Sequence, residues 1–346
     1  MRKLSSFLLL VLFLLLTNVV VHAQNVTVAG ATIGDGSYAT LGAAFTAING
    51  GAQTGSNITI TLSGNTTESA TATLNTGAWA TLAITATTPV TISGSVVGAI
   101  IKFNGADNVT MDGRIGGVGR NITVSNTSTA TGTAAIWLAS VVAGNGASNN
   151  IIRNLEISCG VDVTASTNTS FGIIMSGTTI SVSSNGTDND NNQFLENRII
   201  KCRYGITTRG TTTNLNLGIV VTDNIIGPSA FGSDAIGKVG IFMQADQGAI
   251  VSRNTVQFVG GTNATTTSGA DRIGIAIGNE SWSNSPGTLT SNTYTVTNNI
   301  IHDIVDERLS SAVGITLGTT GGGSNTDNMV ANNFVYNILS NGSGGD

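Results

Sequence analysis

The stretch GTDNDNN holds Asp188, Asp190 and Asn192 at alternate positions. That spacing resembles the opening of a calcium loop, whose oxygen ligands recur at every second residue. The glycine at the sixth position and the closing glutamate of such a loop are missing, so an ordinary Asn/Asp turn accounts for the same residues. Calcium is the one cofactor these residues suggest. Downstream, Lys201, Arg203 and Arg209 gather around a Gly-Ile turn at Gly205. They would bind an acidic sugar, or else form a solvated edge on long apolar stems. Trp282 sits in an insertion over 278–293 and is the best single candidate for stacking on a sugar ring, with packing against the flank of the fold as the alternative. The carboxylates Asp223, Asp246, Asp271, Asp303, Asp306 and Glu307 are scattered singly, whereas glycoside hydrolysis needs a pair at a set separation.

The elements that must position these residues begin after an export signal. Arg2 and Lys3 precede the apolar run FLLLVLFLLL, and VHAQ offers a cleavage position after Ala23. The pattern reads as a secretory signal peptide over 1–23 rather than an uncleaved anchor, and no later stretch is long and apolar enough to span a bilayer. The chain is acidic, with net charge −5 and a pI of 4.9, and only 10% of its residues are charged. A nucleic-acid partner needs a basic face and is excluded on that ground. Low charge with 40% hydrophobic residues also argues against disorder. The abundance of Gly, Thr, Ser, Asn, Val and Ile suits strands and tight turns.

Two motifs alternate along the chain. In the first, apolar residues flank an asparagine, as in NNIIRNLEISC, NNQFLENRIIKC and YTVTNNIIH. Aligned on Asn154, Asn197, Asn224, Asn254, Asn299 and Asn333, the position three before is always apolar and the position one before is always polar. In the second, FGIIMSG, YGITTRG, VGIFMQA, IGIAIGN and VGITLGT place Gly172, Gly205, Gly240, Gly274 and Gly314 at intervals of 33, 35, 34 and 40 residues. A pair of short β-rich segments recurring at this period signals a solenoid. Val and Ile would stack inward from coil to coil, asparagines would take the left-handed corner and bond one another along the axis, and glycines would open a second corner. On this alignment Cys159 and Cys202 stack on neighbouring coils, as a buried thiol pair or a disulfide. Arg153 stacks over Glu196, and Asp223 over Arg253. Before the repeats, Leu41, Ala44, Phe45 and Ile48 share one face of a short helix.

These paired segments, with DNVTMDG at 107–113 and NIIRNLEI in a form often seen in pectate lyases, resemble the right-handed parallel β-helix of the pectate-lyase-like superfamily. The resemblance covers roughly residues 90–346 and is carried by architectural residues. It implies an all-β, right-handed parallel β-helix (solenoid) with a short N-terminal capping helix. The chain divides into the signal peptide over 1–23, a cap and first coils over 24–90, and coils over 91–346 that stop in mid-rhythm, as a truncated solenoid would. The style resembles surface proteins of Bacteroidetes-type bacteria. Departures from the family concern chemistry. The lyase DH pair is absent, His302–Asp303 having the reverse order, and so are the DD, GHG and RxK patterns of the polygalacturonase-like hydrolases. The expected role is therefore a secreted or cell-surface scaffold, structural or adhesive, with polysaccharide or surface glycan as partner and no recognisable catalytic residue. A divergent polysaccharide lyase or glycoside hydrolase is the alternative.

Overall fold

The computed structural model describes residues 23–160, 169–261, 271–278, 291–307, 310–318 and 327–341. Their strands wind into a parallel β-helix with three long sheets. A single coil shows the path. It leaves the third sheet at Tyr204–Arg209, enters the first at Val220–Thr222, turns at once into the second at Ile225–Ile226, and returns to the third at Val239–Gln244. Each strand pairs in parallel with its copy one coil away, as in Val221 opposite Val251, Ile226 opposite Val256, and Ile206 opposite Ile241. The interior is a continuous apolar column, because one side chain in two points inward and β-branched residues pack well on a stacked pleat.

Helix α1 (Leu41–Asn49) closes the N-terminal end, with Leu41, Ala44, Phe45 and Ile48 all buried as their spacing predicts. Thr40 caps it by accepting from the Ala43 N–H, and the buried Glu68 carboxylate accepts from the Leu41 and Gly42 N–H groups at 3.0 Å each. Those are orphan donors at a positive helix terminus, where a carboxylate is stabilising. An antiparallel pair absent from the sequence reading, Val26–Ala29 with Gly36–Tyr38, finishes the first sheet by lying along Asn57–Leu62.

The asparagine column forms the ladder expected of it, with two corrections. From Asn197 through Asn224, Asn254, Asn299 and Asn333, each side-chain oxygen accepts from the backbone N–H and the Nδ2 of the preceding member at 2.9–3.1 Å. The left-handed corner, however, belongs to the residue before each asparagine. Glu196, Asp223, Arg253, Asn298 and Asn332 have φ of 54–59°. Asn154 is the second correction. Arg153 pairs with Leu195, so Asn154 lies opposite Glu196 and takes the left-handed slot itself, at φ 55°. Leu155 holds the ladder position in that coil and donates its N–H to Asn197 Oδ1 at 3.1 Å. The same one-residue shift separates Arg153 from Glu196. Arg153 pairs with Asp112 at 2.8 Å instead, whereas Arg253 and Asp223 pair at 2.7 Å as aligned.

The glycines of the second motif do not open a corner. None of Gly172, Gly205, Gly240, Gly274 and Gly314 has positive φ. They are small because the opposite wall comes close. A Cβ on Gly240 would stand 2.3 Å from Val256 Cγ1 and 2.7 Å from the Gly274 carbonyl oxygen. The branched residue two after each ladder asparagine makes this approach, so the two sequence columns are halves of one contact. Cys159 and Cys202 are both free and buried in the interior. Burial pushes the Cys159 thiol up to about 12, and burial together with Cys159 raises Cys202 well above the usual range, so neither is a reactive thiolate.

Candidate functional site

The sequence pointed to three groups of residues, and the structure treats them differently. Asn192 is fully buried and belongs to a second amide ladder at the entry to the first sheet. Its oxygen accepts from the Asn150 N–H at 3.0 Å, and its Nδ2 donates to the Ala147 and Asn189 carbonyls. Asp188 accepts from the Gly144 N–H and Asn214 Nδ2 at 2.7 and 3.0 Å, and Asp190 accepts from the Leu217 N–H at 2.7 Å. The three side chains take separate sets of hydrogen-bond partners, although Asp188 is near enough to help burial raise Asp190. Among the described residues no group of three or more His, Cys, Asp or Glu side chains is arranged to hold a metal. Trp282 lies outside the described residues.

Arg203 and Arg209 are not on a solvated edge. They are 3% and 6% exposed, because the outer face of the third sheet is itself buried. Three side-chain columns run along that face. Phe171 and Tyr204 share a column with Val239, their ring centroids 4.9 Å apart, and Phe242, from the column that holds Trp137, lies 6.3 Å from the Tyr204 ring. Lys102 sits over the Trp137 ring at 4.1 Å, and Trp137 donates its Nε1–H to Ser176 Oγ at 2.9 Å. Immediately before the first column stand Arg203, Lys238 and Arg272. The Lys238 N–H bonds the Arg203 carbonyl, and the Ile273 N–H bonds the Lys238 carbonyl, so the three cations occupy successive coils. Burial, with the charges of Arg203 and Arg272, lowers Lys238 to about 7. Burial lowers Arg203 to about 10. Asp306 approaches Arg272 at 3.9 Å, and Asp271 senses both of them. The sequence carried a signal for this set, since each cation stands two residues before a column glycine. The reading at Arg203 and Arg209 missed it by following proximity instead of register.

A second surface was not foreseen. On the outer face of the second sheet the early coils present Thr91 and Ser93, Thr123 and Ser125, then Glu156 and Ser158. The late coils present Thr255 and Gln257, Ile300 and His302, then Phe334 and Tyr336. His302 stacks on Tyr336 at 4.8 Å and 8°, Phe258 meets His302 edge-on at 5.8 Å, and Phe231 meets Phe258 edge-on at 5.0 Å. Phe334 is 65% exposed and Tyr336 37%. Polar groups edge the strip. His302 Nδ1 lies 2.5 Å from Asp303 Oδ2, and Asn337 Nδ2 donates to Asp303 Oδ1 at 3.3 Å. By contrast, three carboxylates elsewhere are held by arginines. Asp112 lies between Arg114 and Arg153, Glu156 bonds Arg198, and Asp223 bonds Arg253.

One fully buried acid remains. Asp246 accepts from Thr208 Oγ1 at 2.5 Å, Asn216 Nδ2 at 2.8 Å and Tyr294 OH at 2.8 Å. Burial raises it to about 6 against the opposing pull of those donors. It is fully buried and its oxygens are taken by these three donors, which is a structural arrangement.

No family model matches the chain, and no curated protein matches it. Among the described residues no helix is long and apolar enough to cross a membrane. Among solved structures the chain is similar to the Dettilon tailspike protein (gp208), at 14% sequence identity and a TM-score of 0.43. The match covers 79% of this chain and 43% of the tailspike, so the chain spans less than half the length of that protein.

Proposed function

We propose that the chain is an exported β-solenoid scaffold with an adhesive outer surface, and that the aromatic strip on the second sheet is where it meets a glycan. The observation that carries this reading is the change of that face from threonine and serine to stacked rings. An exposed ring pair at strand spacing, edged by a carboxylate, an imidazole and an amide, offers one apolar face to the C–H side of a sugar and hydrogen-bonding groups to its hydroxyls. The exposed aromatic area is on the order of 300 Å², which fits one or two sugar rings and falls well short of the roughly 800 Å² per partner of a stable protein interface. The arginine pairs that hold Asp112, Glu156 and Asp223 weigh toward a structural role for those three acids.

The test is binding and turnover on the same sample. The chain from residue 24 is incubated with immobilised neutral and acidic polysaccharides, with and without calcium, and new reducing ends and unsaturated products are measured. Retention on a glycan without product is the expected result, reduced at least tenfold by Phe334→Ala with Tyr336→Ala. Product release would replace the scaffold with an enzyme. Retention unchanged in the double variant would remove the strip from the account.

A further inference from the structure

We propose that Arg203, at one end of the Arg203–Lys238–Arg272 stack, anchors a site for an oxyanion group, a carboxylate, sulfate or phosphate. The argument starts from charge. Successive coils of a parallel solenoid are about 4.8 Å apart, so side chains in one column are close neighbours. Three cations at that spacing repel one another, and burial removes the water that would screen them. The acids that answer this charge gather at the Arg272 end, where Asp306 and Asp271 lie. At the other end Arg203 is 3% exposed, and its Nε and Nη1 meet no acceptor. The groups that act on it are burial, Tyr204 and Arg272, with no carboxylate among them. A guanidinium is the side chain best suited to grip a planar or tetrahedral oxyanion, because its donors are fixed in a fork.

The surroundings limit what would fit. Gly237 lies against the Arg203 stem, where an added Cβ would stand 3.2 Å from Cα and Cγ. Tyr204, next in the chain and stacked on Phe171, is close enough to act on the guanidinium. A group that reaches the donors of a side chain only 3% exposed has to be small, which fits a single charged substituent or a free ion better than a whole ring. A neighbouring anion would also favour the protonated form of Lys238, so occupancy and the charge of the middle cation rise together. This site is separate from the aromatic strip and stands whether or not that strip binds sugar.

The experiment uses the chain from residue 24 in chloride buffer at fixed ionic strength. Sodium sulfate, sodium phosphate, glucuronate and dextran sulfate are each titrated calorimetrically, and thermal unfolding is recorded alongside. Saturable binding of at least one oxyanion is expected, weakened at least tenfold in Arg203→Met and less in Arg203→Lys, which keeps the charge but not the fork. Arg253→Gln, a surface variant, should bind as the wild type does. Because sulfate stabilises most proteins by exclusion from their surface, only the difference between wild type and Arg203→Met counts. In chloride alone Arg203→Met should unfold at a higher temperature than the wild type, since it removes a buried cation without an acceptor. Equal responses to every oxyanion in wild type and Arg203→Met would overturn the proposal. If Arg203→Met does not fold, equal affinity in Arg203→Lys and wild type would overturn it instead. Binding of dextran sulfate or glucuronate assigns the group to a glycan substituent, and binding of inorganic ions alone assigns it to a free ion. A failed glycan pull-down leaves these titrations untouched.

Discussion

Two columns of this solenoid repeat a side chain on successive coils, and they respond to repetition in opposite ways. At the corner between the first and second sheets, Asn197, Asn224, Asn254, Asn299 and Asn333 lie one above the next. An amide both donates and accepts, so each copy satisfies its neighbour, and a further Nδ2 bond reaches a carbonyl such as Phe194 O at 2.8 Å. At the start of the third sheet, Arg203, Lys238 and Arg272 also lie one above the next. A cation only donates, so each copy makes its neighbour harder to bury. Repetition of a self-complementary group stabilises the stack, and repetition of a one-sided group calls for something that is not itself repeated.

That contrast can be broken most sharply at the asparagines. Asn224→Ala should lower stability by about 3 kcal/mol or more, because it orphans the Asn197 N–H, leaves Asn197 Nδ2 with the Ile152 carbonyl alone, and removes the donor to the Phe194 and Thr222 carbonyls. Chemical denaturation of the chain would read it, and a loss below about 1 kcal/mol would mean that the ladder is ornament. Gly240→Ala comes next, at about 2–3 kcal/mol from overpacking. Pairing it with Val256→Ala should recover part of the loss, since the Gly274 carbonyl at 2.7 Å still opposes the new Cβ. Full recovery would show that the side-chain contact alone demands the glycine.

Asp246 sharpens the comparison with a buried charge that is not repeated. Its folded value of about 6 lies above the ordinary carboxyl value of 3.8. The folded state therefore binds its proton more tightly than the unfolded chain. The stabilisation is fully present below pH 4 and is lost as pH rises through 6, on the order of 3 kcal/mol in all. Stability measured from pH 4 to 7 should fall along that course, and Asp246→Asn should flatten it. An unchanged slope in the variant would place the titration elsewhere. The smallest effect is expected for Arg253→Gln. Its pair with Asp223 is largely exposed and should cost under ~1 kcal/mol, seen as a shift of a few degrees at most in thermal unfolding.

Much of the fold was legible because the columns repeat, and the errors have physical causes. The left-handed corner accepts Glu196, Asp223, Arg253, Asn298 or Asn332, since the ladder fixes its geometry whatever the side chain. When asparagine fills that slot, as Asn154 does, it looks like a ladder member and shifts the alignment by one. The glycine column was visible, but its reason was not, because a steric approach between sheets leaves no mark on either strand alone. At the candidate sites the types were readable and the exposures were not. Arg203 could be named from its charge, yet whether water reaches it depends on what packs over the third sheet. The aromatic strip was hidden because Phe258, His302 and Tyr336 share a face only once the coils are in register.

The corner carrying the ladder is also the shortest in each coil, with residues 223–224, 253–254 and 298–299 filling the whole gap between strands. The return from the third sheet to the first has no such constraint, running over 245–249 in one coil and 278–294 in another. One corner therefore keeps time while the other is free to change length. New peptide spliced into the long returns would leave the neighbouring coils in step, and one residue added to the short corner would throw every later strand onto the wrong face.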